Sequence, residues 1–180
     1  MIRLLRAIRG ERGYSLVEML IVLVIMTTVM AGLTTLFVQG SNAELDMNNR
    51  FQAQQDARLA LDKLRREAHC ASAVTVSSAS SVTLSLPSYC PTGNGSVTWC
   101  TSSLGSSRYG LFRKTGAACD ATGVRWADHL TSANVFSYAA QSPTSLAKLS
   151  VDFPINVKPS RTVDLYELKD DIVLRNSLRQ

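Results

Sequence analysis

From Leu16 to Val38 the chain carries 23 residues whose only ionisable side chain is Glu18. As an α-helix rising 1.5 Å per residue, this run would extend about 35 Å, enough to cross a hydrocarbon core about 30 Å thick. A secretory signal peptide has a shorter apolar region, about 7–15 residues, followed by a small-residue cleavage site. Neither feature fits. The awkward residue is Glu18. A charged carboxylate facing lipid near the start of a membrane helix costs about 2 to 3 kcal/mol, so it demands a partner. Cutting the chain after Gly13 would create a nearby amino terminus of opposite charge.

The flanks orient the run. Arg3, Arg6, Arg9 and Arg12 precede it, whereas Glu44 and Asp46 come first after it. Basic residues stay on the cytoplasmic side, which leaves the amino terminus in the cytoplasm and the remainder outside. Those four arginines against Glu11 give the leader +3 of the formal net charge of +5, leaving +2 on the rest. Net charge therefore gives no support for nucleic-acid binding. Arg108, Arg113, Lys114 and Arg125 are spread along expected strands without a regular aromatic platform and read as solvated surface.

Gly13-Tyr14-Ser15-Leu16-Val17-Glu18, set between the arginine-rich leader and the apolar run, resembles the class III signal of type IV pilins and type II secretion pseudopilins. The resemblance implies cleavage after Gly13, N-methylation of Tyr14 and an assembly role for Glu18. The family usually has Phe or Met where this chain has Tyr14, an aromatic of similar size, and cleavage is still expected. The implied partners are a prepilin peptidase and methylase, other pilin or pseudopilin subunits, an inner-membrane assembly platform, and the membrane before assembly. No cofactor is implied. The implied location is a single-pass inner membrane protein with an extracytoplasmic head, then a cell-surface or periplasmic filament. Many major pilins carry a helix-breaking Pro in the apolar run, and this chain has none there.

Beyond the run, Gly40-Ser41-Asn42 is a possible break, but Ala43 to Cys70 is helical in composition, without Pro or Gly. Met47, Phe51, Ala57, Leu61, Leu64 and Ala68 trace a roughly helical apolar stripe. Asp62 and Arg66 form an opposite-charge pair at i,i+4. After Cys70 the composition shifts to Ser, Thr and Val. Ala73–Ser77 and Val82–Leu86 alternate in the period of half-buried strands, and Val97–Thr101 and Arg108–Lys114 are the next candidates. Trp126, Leu130, Val135, Phe136 and Tyr138 add apolar bulk without clean periodicity. Leu146–Phe153, Thr162–Leu168 and a short Ile172–Leu174 are late strands, with Asp170-Asp171 read as a turn.

A helix followed by antiparallel strands is α+β by segregation. It is similar to the pilin fold, in which a long N-terminal helix, membrane-spanning then amphipathic, packs on an antiparallel sheet head. The expected organisation is a leader at 1–13, a membrane and filament-core helix at 14–39, the amphipathic half of the spine at 40–70, and a β-rich head at 71–180. The Leu59–Glu67 and Ile172–Asn176 segments resemble J-type pseudopilins and W-type minor pilins, which implies a minor subunit that primes or joins a filament.

Cys70, Cys90, Cys100 and Cys119 all fall in the segment expected outside, where an even number suggests two disulfides. Three connectivities are open. If Val97–Thr101 and Arg108–Lys114 form a hairpin, extending its ladder favours Cys90 with Cys119, leaving Cys70 with Cys100. No Cys-x-x-Cys spacing supports a metal. An adhesin-like head would need Tyr89, Trp99 or Tyr109 exposed, and core packing is the commoner fate of such residues. A DNA-uptake filament component and a plain membrane-anchored binding protein are further alternatives. Gly-x-Ser-x-Gly, metal spacing and a phosphate-cradling loop are all missing from the sequence, so an enzyme is not expected.

Overall fold

The computed structural model describes residues 13–161 and 164–174. The leader up to Arg12, Thr162 at the start of one expected strand, and Arg175-Asn176 lie outside the described residues. The chain divides into two compact units, meeting between Asp46 and Met47. Helix α1 spans Leu16–Cys70 and contributes to both. The possible break at Gly40-Ser41-Asn42 does not occur: all three residues are helical. In the first unit the helix is exposed all round, with Leu36 and Phe37 among its most accessible side chains. Thr27, Thr28, Thr34 and Thr35 donate their hydroxyls to backbone carbonyls three or four residues earlier. Each threonine thereby satisfies its own polar group in an apolar stretch.

In the second unit, the remainder of α1 packs on an antiparallel, curled sheet of eight strands: β1 (Ala73–Ser78), β2 (Ser81–Leu86), β3 (Gly95–Gly105), β4 (Arg108–Thr115), β5 (Val124–Leu130), β6 (Phe136–Ala139), β7 (Lys148–Ile155) and β8 (Tyr166–Val173). This is an α+β, pilin-like architecture. The strand order is β1-β2-β3-β4-β5-β7-β6, with β8 on the other side of β7. The four early strands lie where they were expected, β1 and β2 from alternation and β3 and β4 as the next candidates. β5 and β6 had no assignment: register shifts in the pairing with β4 disrupt the period of two in β5, and β6 is only four residues long. The separate late strands expected at 162–168 and 172–174 are joined in one strand, β8, which begins only at Tyr166, after Asp164 and Leu165. Asp170 and Asp171 are not a turn but paired residues within it, opposite Val151 and Ser150.

The buried face of α1 is Ala53, Ala57, Ala60, Leu61, Leu64, Glu67 and Ala68. Met47 and Phe51, expected in the stripe, are instead about two-thirds exposed, at 70% and 64%. The face that meets the sheet is largely alanine because large side chains come from the other layer, among them Trp99, Leu111 and Phe153. Small against large lets the two layers interdigitate. Phe136 and Phe153 meet edge to face at 6.5 Å. Asp62 does not pair with the Arg66 guanidinium. Its carboxylate lies 3.6 Å from Arg65, while Arg66 donates to the Asp62 carbonyl.

Both disulfides form, with a connectivity different from the favoured one: Cys70–Cys90 and Cys100–Cys119. The β3–β4 hairpin exists, yet its ladder cannot be extended. Gly95 and Gly116 both take positive φ, 88° and 102°, and turn the chains away where the hairpin ends. The chain after β4 then returns to β3, where Cys119 meets Cys100, and Cys90 is left to staple the last residue of α1. Closing loops of this length restricts the unfolded chain, worth about 3 kcal/mol per bridge in the loop-entropy model.

A buried charge fixes α1 on the sheet. Glu67 is fully buried. Its carboxylate accepts hydrogen bonds from Trp99 Nε1 at 2.8 Å and from Arg113 Nε at 2.9 and 3.2 Å, and Arg113 Nη2 lies 2.9 Å from Oε1. Lys63 stands 3.5 Å away. Trp99 and Arg113 face each other across β3 and β4 in register, so one carboxylate joins the helix to two strands. Replacing Arg113 with Ala leaves the buried carboxylate with the Trp99 hydrogen bond and only the Lys63 ammonium, 3.5 Å away, as a charged neighbour. We expect a loss of about 3 to 5 kcal/mol in denaturant unfolding, and recovery of much of it in a Glu67→Met/Arg113→Met double variant.

Candidate processing and assembly segment

Gly13, Tyr14 and Ser15 precede the helix in non-helical conformation, and Tyr14 is 74% exposed. Added bulk at Gly13 would meet nothing within 4 Å among the described residues. Helix α1 starts at Leu16, and Met19 N–H donates to Ser15 C=O at 3.1 Å. Ser15 is therefore the N-cap residue, and Glu18 is the third residue of the first turn. Ser-x-x-Glu is the spacing of a capping box, and a carboxylate there also complements the positive end of the helix dipole. Sequence reading had asked only what compensates Glu18. The Ser15–Glu18 spacing was the available signal that the residue also suits the start of a helix.

After this turn, α1 is long and apolar enough to cross a membrane, with a mean hydropathy of 2.4 over an 18-residue window that is unburied. The segment thus brings together an accessible glycine, an exposed aromatic, a first-turn carboxylate and an uncovered apolar helix.

The head's other polar groups are largely paired. Two arginines of α1 reach β8, Arg58 to the Tyr166 hydroxyl at 3.0 Å and Arg65 to Asp170 at 3.0 and 2.8 Å, and Arg50 reaches Asp164 just before it at 2.7 Å. The Arg58 guanidinium also lies 5.8 Å from the Tyr166 ring centre. A depression of about 540 Å³ bordered by Phe136, Ser150, Asp152, Lys169 and Asp171 carries paired charges. Lys169 spans Glu167 and Asp152 at 2.7 and 3.4 Å, and these partners raise its pKa. Asp171 accepts from Ser150 and Lys148, which lower its own.

Of the aromatics that would motivate an adhesin-like head, Trp99 is buried, Tyr109 half-buried and Tyr89 exposed. The described residues contain no group of His, Cys, Asp and Glu able to hold a metal. In the loop that Cys119 anchors, Asp120 accepts bonds from the Thr122 hydroxyl, Lys114 and the Thr122 amide, which lower its pKa from 3.8 to about 2. Stabilisation from these bonds is present above the unfolded value and is lost as pH falls through the folded one. Thr122→Ala should return Asp120 toward 3.8, read by carboxylate NMR titration.

Residues 8–34 match the prokaryotic N-terminal methylation motif, and residues 8–12 of that match precede the described chain. The match supports a type IV pilin-like or pseudopilin subunit, and the family it marks is structural rather than catalytic. It also implies processing by a prepilin peptidase and assembly with pilins. The signal and the long apolar helix together fit a membrane-anchored pilin. No curated protein and no solved structure matches the chain.

Proposed function

We propose that this chain is a prepilin whose mature form is a minor subunit of a type IV pilus-like or type II secretion filament. The observation that carries the reading is the methylation motif over residues 8–34, placed on an accessible Gly13 and a first-turn Glu18 ahead of an uncovered apolar helix. In this reading residues 1–13 are a leader, 14–39 the membrane and filament-core helix, 40–70 the amphipathic spine and 71–180 the extracytoplasmic head. The peptidase cuts after Gly13, and the amine of Tyr14 is methylated.

Before assembly the helix resides in the inner membrane, with its amino terminus cytoplasmic. On assembly, Glu18 of an incoming subunit pairs with the N-terminal ammonium of a neighbour. An α-amine has a pKa near 8 and keeps its charge on mono-methylation. Pairing two buried charges mainly offsets the cost of desolvating them, so the contact sets axial register while the apolar surface supplies the association energy. The J- and W-type resemblance motivates a position at or near the tip, where the subunit primes assembly with other minor subunits.

The mass of the mature N-terminal peptide tests the pathway directly: N-methyl-Tyr14 is expected, and an intact leader would reject it. Replacing Gly13 with a bulky residue should keep the leader attached and exclude the protein from filaments while it stays membrane-bound. Glu18→Ala should be processed but recovered poorly in sheared filaments; normal incorporation would make the charge pairing dispensable. Crosslinking uniformly along the shaft would remove the priming role.

A further inference from the structure

Along the strand order, the sheet consists of β1–β5 and a wing of β6, β7 and β8, paired through one residue pair between β5 and β7, Leu130 with Ile155, while Val135 and Phe136 N–H also donate to the Ala79 carbonyl between β1 and β2, each at 2.9 Å. Two backbone bonds flank that pair: Thr131 N–H donates to Pro154 C=O and Asn156 N–H to His129 C=O, each at 2.9 Å. His129 thus sits at the narrowest part of the sheet. It does so with φ of 66°, the left-handed region that side-chain-bearing residues rarely adopt. Such backbone persists only where its surroundings hold it.

The His129 side chain is the hub of those surroundings. Nε2 lies 3.3 Å from Arg108 Nη2 on β4 and 3.2 Å from Asp128 Oδ1 on β5, and Arg108 Nη2 is 3.8 Å from Asp128 Oδ2. Arg108 can only donate to Nε2 and the Asp128 carboxylate can only accept from it, so the two compete for one ring atom; in the neutral ring we assign the Nε2 lone pair to Arg108, which places the ring proton on Nδ1. That Nδ1 is buried with no partner among the described residues. The charged groups bearing on the ring are Asp128, Arg108 and Arg125 from the strands and Asp56 from α1. Its β7-side neighbours Pro154, Ile155 and Asn156 do not titrate. Burial first, then the two arginines, hold the imidazole below its usual 6.5 against the pull of Asp128 and Asp56, which keeps it neutral at neutral pH.

The geometry points to His129 as an acid-released latch between the β1–β5 sheet and the β6–β8 wing. Protonation turns Nε2 from acceptor to donor. The Arg108 contact becomes a repulsion between two cations, and the ring is redirected to Asp128. The strained backbone whose carbonyl holds Asn156 then loses the side-chain contact that steadied it. The sign follows from linkage. The folded imidazole binds its proton less readily than the unfolded one, so closure is fully favoured above 6.5 and weakens below it. Once the pH lies below both values, each unit of depression appears as about a tenfold loss in the closed-to-open ratio.

The test is amide hydrogen exchange on the full chain in detergent micelles, moving from about pH 7.5 to about pH 5.5, the window in which imidazoles titrate. After correction for intrinsic rates, protection at Thr131 and Asn156 should fall while that of β2 and β3 holds. His129→Asn, a side chain that tolerates the left-handed region, should abolish this local pH dependence. An equal fall in the variant, or no fall in the wild type, overturns the latch. If the variant does not fold, the imidazole ¹⁵N spectrum of the wild type decides. A neutral ring protonated on Nδ1 with a midpoint below 6.5 is expected, and an Nε2-protonated ring or a midpoint at or above that value refutes it.

Discussion

Everything the head presents depends on one desolvated carboxylate. Glu67 has no exposure to water, and its charge is tolerable because Arg113 and Trp99 converge on it from neighbouring strands. Such a contact adds little to net stability compared with a well-packed apolar alternative. What it does impose is direction. A row of alanines could slide or roll against a sheet at small cost, whereas a buried ion pair with fixed hydrogen-bond geometry has one acceptable alignment. With Glu67 seated, Arg58 and Arg65 reach β8 and Arg50 reaches Asp164 before it, and Met47, Phe51 and Leu59 are left facing outward.

The N-terminal signal and the class of the fold were legible in the sequence because both rest on local pattern. An apolar run, a glycine and a carboxylate at fixed spacing can be read without knowing what touches what. The same holds for β2, whose alternation survives in the observed burial. The errors have a common cause in partners distant along the chain. Met47 and Phe51 were assigned to the core as members of a roughly helical apolar stripe, but the sheet supplies the bulk and the helix supplies alanine. Asp170 and Asp171 read as a turn because two adjacent acids look solvated. Arg65 on the helix and Lys148 on β7 answer them from opposite faces of β8. Glu67 left a trace that could have been followed: it lies in line with Ala57, Ala60 and Leu64, and a charge on an apolar face implies a buried partner.

Irregular backbone set the remaining limit. β5 has no clean period because bulges interrupt its pairing with β4 and its penultimate residue has positive φ. The cystine pattern was misread for a related reason. Extrapolating a ladder assumes that strands continue, and the glycines at its end take conformations that stop it. Composition marks such glycines as loop residues, but not the direction in which the chain departs.

The arginine contacts from α1 to Asp164 and to Tyr166 and Asp170 of β8 bridge 114, 108 and 105 residues of sequence. An element early in the chain is therefore finished by one made much later. Contacts this remote carry a large loop-closure cost and form late and slowly in folding. While β8 is still unmade, its place beside β7 stays open and the arginines of α1 have no strand to hold. An unfinished chain can commit its apolar helix to a bilayer, but it cannot close its head, and a closed head thereby reports that synthesis has reached β8.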